Sequence, residues 1–150
     1  MMEMTNKMDF VADHEDVARI LFSPLFICDG VLSQKAFTLE ENQNESYISV
    51  LRPAIDSFET DMEGIKKEGN VEYGYALLNV GDIRHAKFDY HEELSLDVLP
   101  RNAGKRKSHA GIFATIGNAK VKGGMPQSPA RLMMRMHLVN IAQKRIVKFC

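Results

Sequence analysis

The clearest element of this chain closes the sequence, the helical segment "SPARLMMRMHLVNIAQKRIVKF". Ser128 stands where an N-cap belongs, and Pro129 at the first helical position, where its missing N–H costs nothing. Leu132, Met136, Val139, Gln143 and Ile146 recur at helical spacing and define the face expected to be buried. Arg131, Arg135 and Arg145 lie on another arc, with Met134, Leu138 and Ile141 beside them. The segment is therefore apolar over more than half its circumference. That predicts a well-buried helix on a sheet, with its methionines serving as core or as an adaptable contact surface.

Everything upstream reads as short β-rich pieces between turn signals. "DHEDVARILF" is expected to open with a short helix capped at Asp13 and stopped by Pro24. "LFIC" reads as a strand and Asp29-Gly30 as a tight turn. Ala36 to Leu39 is strand-like. "YISVLR" is rich in β-branched residues and ends at Pro53. A helix is expected from about Ser57 to Glu68, stopped at Gly69. "VEYGYALLNV", "LSLDVL" and "HAGIFATIG" are strands, and "NAKVKGG" pairs with the last as a hairpin across Gly117-Asn118. "GDIRHAKF" is a turn or one helical turn started at Asp82. With no regular β-α-β alternation and no internal repeat, these pieces predict an α+β fold. The expected architecture is a single domain, residues 1–150. A mixed or antiparallel sheet of five to six strands carries two to three helices, the C-terminal helix packed on the sheet.

The length of 150 residues suits one domain with a sizeable core. The longest apolar run, Ile20 to Cys28, is broken by Ser23 and Pro24 and falls far short of the roughly 20 residues of a membrane span. The N-terminus lacks a basic start followed by an apolar core, so no signal peptide is expected. The two cysteines, Cys28 and Cys150, make no disulfide framework. The expected location is cytoplasmic, with no membrane partner.

Charge is segregated. All 20 acidic residues fall within residues 1–100, which carry a net −12; residues 101–150 hold 11 Lys and Arg and no acid. Such a split marks either an anion-binding region or two halves that attract each other. The densest cationic run is Lys105, Arg106 and Lys107, followed by Ser108 and His109. These cations disfavour the charged form of His109 and attract an anion. A neutral imidazole there suits a phosphate-containing ligand; a histidine hydrogen-bonded within the fold is the plainer alternative. Ser108 and His109 point to opposite faces of a strand, so adjacency makes no dyad of them.

Arg19 and Arg52 sit among apolar residues and need an anionic or carbonyl partner, either a structural acid or a ligand. Ser49 lies on the strand of Arg52, on the opposite face. "HAKFDYHEE" gathers His85, Asp89, His91, Glu92 and Glu93, a string an exposed loop also produces, and no metal is assigned. The common phosphate loops, Cys-x-x-Cys and His-Glu-x-x-His are absent, and no cofactor is expected.

"ARILFSPLFI", "GVLSQKAF", "YISVLR" and "SHAGI", spanning Arg19 to Ile112, resemble a pattern in small bacterial single-domain proteins: Arg-x-hydrophobic, Ser-x-x-Ala-Phe, Ser-Val-x-Arg, His-Ala. The resemblance implies a bacterial single domain, nominates Arg19, Ser33, Ser49, Arg52 and His109 as neighbours, and transfers no activity. Three functions follow as expectations. The first is a binding module for a phosphate-bearing anion, nucleic acid or nucleotide, through the basic last third. There Lys105, Arg106, Lys107, Ser108, Arg131 and Arg135 would be ligand contacts. Only Phe113 and Phe149 are aromatic after residue 100, which favours backbone contact over base stacking. The second is a protein-interaction or antitoxin-like accessory subunit, or a homo-oligomer, using the Met- and Arg-rich final helix. The third is an enzyme acting on a phosphate or ribosyl linkage, with His109 as acid–base, Arg19 or Arg52 as anion clamp, and Ser49 beside them.

Overall fold

The computed structural model describes residues 10–38, 47–65, 69–88, 93–102, 104, 106–116, 119–120 and 130–149. The main sheet runs in the order β6 (Leu94–Pro100), β7 (His109–Ile116), β4 (Ile48–Leu51), β1 (Asp16–Ser23), β5 (Val71–Asn79), β9 (Ile146–Lys148). Every neighbouring pair is antiparallel. β8 (Ala119–Lys120) pairs with the end of β7 as the expected hairpin. A small separate hairpin joins β2 (Ile27–Cys28) to β3 (Val31–Leu32) through Asp29 and Gly30, both left-handed at φ 53° and 79°, the geometry a two-residue hairpin turn demands. A 3₁₀ turn η1 (Gln34–Phe37) and helices α1 (Phe58–Glu63), α2 (Val80–Arg84) and α3 (Ala130–Gln143) complete a single α+β domain. No helix among the described residues is long and apolar enough to cross a membrane.

Opposed residues of an antiparallel pair share a face. Ala18 faces Leu51 on one side and Leu77 on the other, and Leu51 faces His109. These residues define one face of the sheet. Val17, Arg19 and Leu21 lie on the other, with Ala76, Leu78, Val50 and Ile112. That second face is the main core, closed by Ala36 and Phe37 of η1, Ile83 of α2, and Met134 and Leu138 of α3. On the first face α1 sets Phe58 edge-on to Tyr75, with ring centroids 5.5 Å apart.

Three sequence expectations are corrected. Asp13 caps no helix: it lies in a turn, and Asp16–Ser23 is a strand. Eight residues of pairing with β5 outweigh a helix-start signal whose acids have tertiary partners, as Glu15 binds Arg52 and Asp16 binds Arg145. Residues 34–37 are 3₁₀ rather than strand. The Ser33 hydroxyl accepts from the Lys35 N–H, and the Thr38 hydroxyl donates to the Gln34 carbonyl, local bonds that compete with a ladder. The face assigned to α3 is inverted: Ala130, Met134, Leu138 and Ala142 are buried, whereas Leu132 and Met136 are 39% and 49% exposed. Small Ala130 and Ala142 suit close approach to the layer below. The helix stops at Gln143, whose side chain binds the Leu32 N–H and the Gly30 carbonyl, and Ile146 joins β9. Ser128 and Pro129 lie outside the described residues, as do residues 66–68 of the helix expected from Ser57 to Glu68; α1 ends at Glu63.

Buried polar groups pin the layers. Arg19 donates Nε to the Ala36 carbonyl at 2.6 Å and Nη1 to the Ser49 carbonyl at 2.8 Å, fixing η1 to the sheet. Arg52, fully buried, meets Glu15 through two bonds of 3.0 and 2.9 Å and the Phe10 carbonyl at 2.8 Å. Burial pushes the Glu15 carboxyl up, but Arg52 and the Ala12 N–H outweigh it and hold the group below its ordinary value. At the β6 edge, Arg84 binds Asp13, Asp97 and the Val98 carbonyl, while the Val98 N–H turns to the Asp97 carboxylate.

Two substitutions test this frame. A Cβ at Gly74 would overlap the Val147 carbonyl oxygen. Gly74→Ala should strip β9 from the edge, at about 1–3 kcal/mol. Hydrogen-exchange protection would then fall at the Leu77 and Phe149 amides, which bond across this junction; unchanged protection refutes the close approach. Arg52→Met should cost about 3–5 kcal/mol by leaving a carboxylate buried and unpaired, and adding Glu15→Leu should recover most of it. Urea midpoints of the single and double variants decide.

Candidate functional site

The basic loop between β6 and β7 is held by one carboxylate. Asp61 of α1, only 7% exposed, accepts the Ser108 N–H at 2.9 Å, the Ser108 hydroxyl at 2.7 Å and the Ser57 hydroxyl at 2.7 Å. Burial pushes its carboxyl up, but the Ser108 hydroxyl, the Ser108 amide and the Ser57 hydroxyl outweigh burial and hold it below its ordinary value. Arg106 adds a second tie from Nη2 to the Gly64 carbonyl at 3.0 Å.

His109 begins β7 between two arginines. Its N–H donates to the Arg106 carbonyl at 3.2 Å, and its carbonyl accepts the Arg101 N–H at 2.8 Å. Its Nε2 lies 3.2 Å from the Ser49 hydroxyl. Beside it Tyr47, which shares its face with Ser49, lies against Gly111. A Cβ there would sit 2.5 Å from the Tyr47 ring, so only glycine leaves room. The Tyr47 ring centroid is 5.9 Å from that of His109 and 5.1 Å from that of Phe113. The Arg101 guanidinium lies 4.8 Å over Tyr47, a stacking that orients its fork without neutralising it. Burial first, then Arg106 and Arg101, hold the His109 imidazole below its ordinary pKa and favour the neutral ring.

The residues singled out in the sequence separate. Ser49 and His109 meet. Arg19 and Arg52 lie on the other face of the sheet and spend their hydrogen bonds on the Ala36 and Ser49 carbonyls and on Glu15. Ser33 caps η1. Ser108 is fully buried, with both N–H and hydroxyl given to Asp61. Arg106 and Lys107 are exposed beside His109; Lys105 lies outside the described residues. Arg131 and Arg135 belong to α3, which packs with η1 on the Arg19 face. Arg135 donates to the Thr38 hydroxyl at 3.2 Å, and its buried Nε has no hydrogen-bond partner among the described residues. His85 pairs with Asp13 at 3.0 Å. Asp89, His91 and Glu92 lie outside the described residues, among which no group of three metal-ligating side chains converges.

Sequence reading missed Tyr47, Arg101, Gly111 and Asp61. Period 2 along β4 places Tyr47 beside Ser49, and Arg101 directly follows Pro100, so those two had a signal. Gly111 acquires its role only from the ring across the strand, and Asp61 lies 47 residues from Ser108. No protein-family model matches the chain, and neither a curated protein nor a solved structure matches it.

The Asp61 latch carries a pH signature. A carboxyl held below its ordinary value contributes stability above that value and loses it as pH falls through the folded pKa. A histidine held low likewise destabilises the fold as it is forced to protonate. Asp61→Asn should therefore lower stability by about 1–3 kcal/mol at neutral pH and make the acid limb of stability against pH shallower. Urea melts across the acidic range are the measurement; an unchanged limb removes Asp61 from this role.

Proposed function

We propose that this chain is a binding module for a phosphate-bearing anion, a nucleotide or a short stretch of nucleic-acid backbone, contacted by Arg101, Arg106 and Lys107 beside His109. The observation that carries the reading is a contrast in pairing. Arg52, Arg84 and Arg145 each hold a carboxylate within 3 Å. Arg101 and Arg106, joined through the backbone of one histidine, touch no carboxylate among the described residues. Their charge is left facing solvent, which is what an anion site requires.

The placement of the other cations narrows the ligand. Arg145 is bidentate to Asp16, and Lys148 lies 5.3 Å over the Tyr73 ring on β9. From β7 to β9 is four strand spacings, about 19 Å. The basic last third is thus distributed over separate surfaces. That favours one phosphate group, or a few along a backbone, over a long polyanion track.

The test is fluorescence anisotropy with short 5′-phosphorylated and unphosphorylated oligonucleotides across a salt series. Arg101→Glu with Arg106→Glu should weaken binding by at least about tenfold, as loss of two charge-assisted contacts of about 1.5–3 kcal/mol each implies. Lys144→Glu, exposed in the turn between α3 and β9, should leave it unchanged. The log–log salt slope should be shallow, about −0.7 per phosphate contacted on a single strand. Absence of binding, or equal loss in both variants, overturns the reading. A second reading, a protein partner or second copy on the outer face of α3, is supported by exposed Leu132 and Met136. A stable dimer that survives high salt would favour it.

A further inference from the structure

We infer that anion binding at this site is coupled to the uptake of one proton by the His109 imidazole. The inference rests on the anion-binding reading and goes beyond it by assigning the site a dependence on pH.

The Arg106 carbonyl accepts the His109 N–H, and the Arg101 N–H donates to the His109 carbonyl, so both guanidinium stems leave the chain beside the ring. Arg101 is kept there by Tyr47, which its guanidinium covers at 4.8 Å and which lies against Gly111. Arg106 is kept there by the Gly64 carbonyl. The groups facing His109 can be named element by element. Arg101 follows β6, Arg106 and Lys107 lie in the loop, Asp61 comes from α1, Tyr47 immediately precedes β4 and Ser49 lies in it. Among the described residues Asp61 supplies the one carboxylate that acts on the ring, and its charge is engaged by Ser108, Ser57 and, at longer range, Arg106. The imidazole is half-buried among cations and stays neutral, its Nε2 shared with the Ser49 hydroxyl.

An anion lodged between Arg101 and Arg106 changes that balance. It cancels the two charges that oppose protonation and adds a negative charge of its own near the ring, which favours imidazolium. The proton comes from solvent, onto whichever ring nitrogen lacks one; no bond is made or broken in the ligand. Linkage makes the effect reciprocal: whatever factor the anion adds to proton affinity, the proton adds to anion affinity. The sign follows. Affinity is highest at acidic pH and falls as pH rises through the interval between the free and bound midpoints of His109.

Inorganic sulfate is the probe, because its charge is constant across the range in which histidine titrates. The His109 ring Cε1–H resonance is followed by NMR against pH with and without saturating sulfate, assigned among the five histidines by its loss in His109→Gln. Sulfate should raise the His109 midpoint by about half a pH unit or more, and its own affinity should grow about twofold or more as pH falls from about 8 to about 5.5. Arg101→Met, measured without sulfate, should raise the midpoint by itself. His109→Gln should bind sulfate at the alkaline end and lose the pH dependence. The wild-type titration needs no variant, so a folding failure in His109→Gln does not decide the matter. A His109 midpoint identical with and without sulfate, while loop resonances shift with sulfate, overturns the coupling and leaves the anion reading standing. No response of the loop to sulfate or to a 5′-phosphorylated oligonucleotide overturns both.

Discussion

The ion pair between Arg52 and Glu15 is the constraint on which the rest of the molecule depends. It buries a guanidinium completely, and a buried charge is tolerated only with a partner in good geometry. That requirement fixes the turn before β1 to the end of β4, two elements 37 residues apart. It settles which way β1 enters the sheet. With β1 placed, Arg19 reaches across to η1 and to β4, and the covering layer has only one position. The two arginines nominated as anion clamps are thus the ones the architecture consumes.

Segregation of charge along the chain follows a similar logic in space. The acidic first part and basic last part meet where Arg145 clamps Asp16, 129 residues apart in sequence. The same attraction that brings the ends together removes cations from the pool available to a ligand. At the loop between β6 and β7, Asp61 of α1 is turned inward to hold Ser108, and among the described residues Arg101 and Arg106 form no ion pair with a carboxylate. The Tyr47–Gly111 contact then supports one of those arginines from below. Structure and binding capacity come from the same few residues, with the inward carboxylate serving the first and the outward guanidiniums the second.

Most of the fold was legible in the sequence because strands carry a local signature. "YISVLR", "VEYGYALLNV", "LSLDVL" and "HAGIFATIG" contain the strands Ile48–Leu51, Val71–Asn79, Leu94–Pro100 and His109–Ile116. Asp29-Gly30 forms the turn its residues specify. What was not legible was decided between elements. Asp13 had a helix-start signal, but β5 offered β1 eight residues of pairing. The final helix had two apolar arcs of similar hydropathy, and only the layer beneath could choose the one with Ala130 and Ala142. At the candidate site, His109 and Ser49 were nominated and they meet. Arg19 and Arg52 were nominated with them and lie across the sheet, because strand alternation gives a residue's face while register and order give its neighbours. Gly111 and Asp61 had no local signal, since each acts on a residue distant in sequence.

The outer edge of β6 has a consequence for how molecules of this chain meet one another. An exposed edge strand is a template for another chain's strand. Here the Val98 N–H is turned back onto the Asp97 carboxylate and its carbonyl is held by Arg84, while Pro100, two residues on, has no N–H to offer. An incoming strand would find the donors and acceptors at the centre of this edge already taken and a charged side chain lying across them. The same network that fastens α2 to the sheet thus guards the molecule against edge-to-edge polymerisation. Its failure would show first as aggregation.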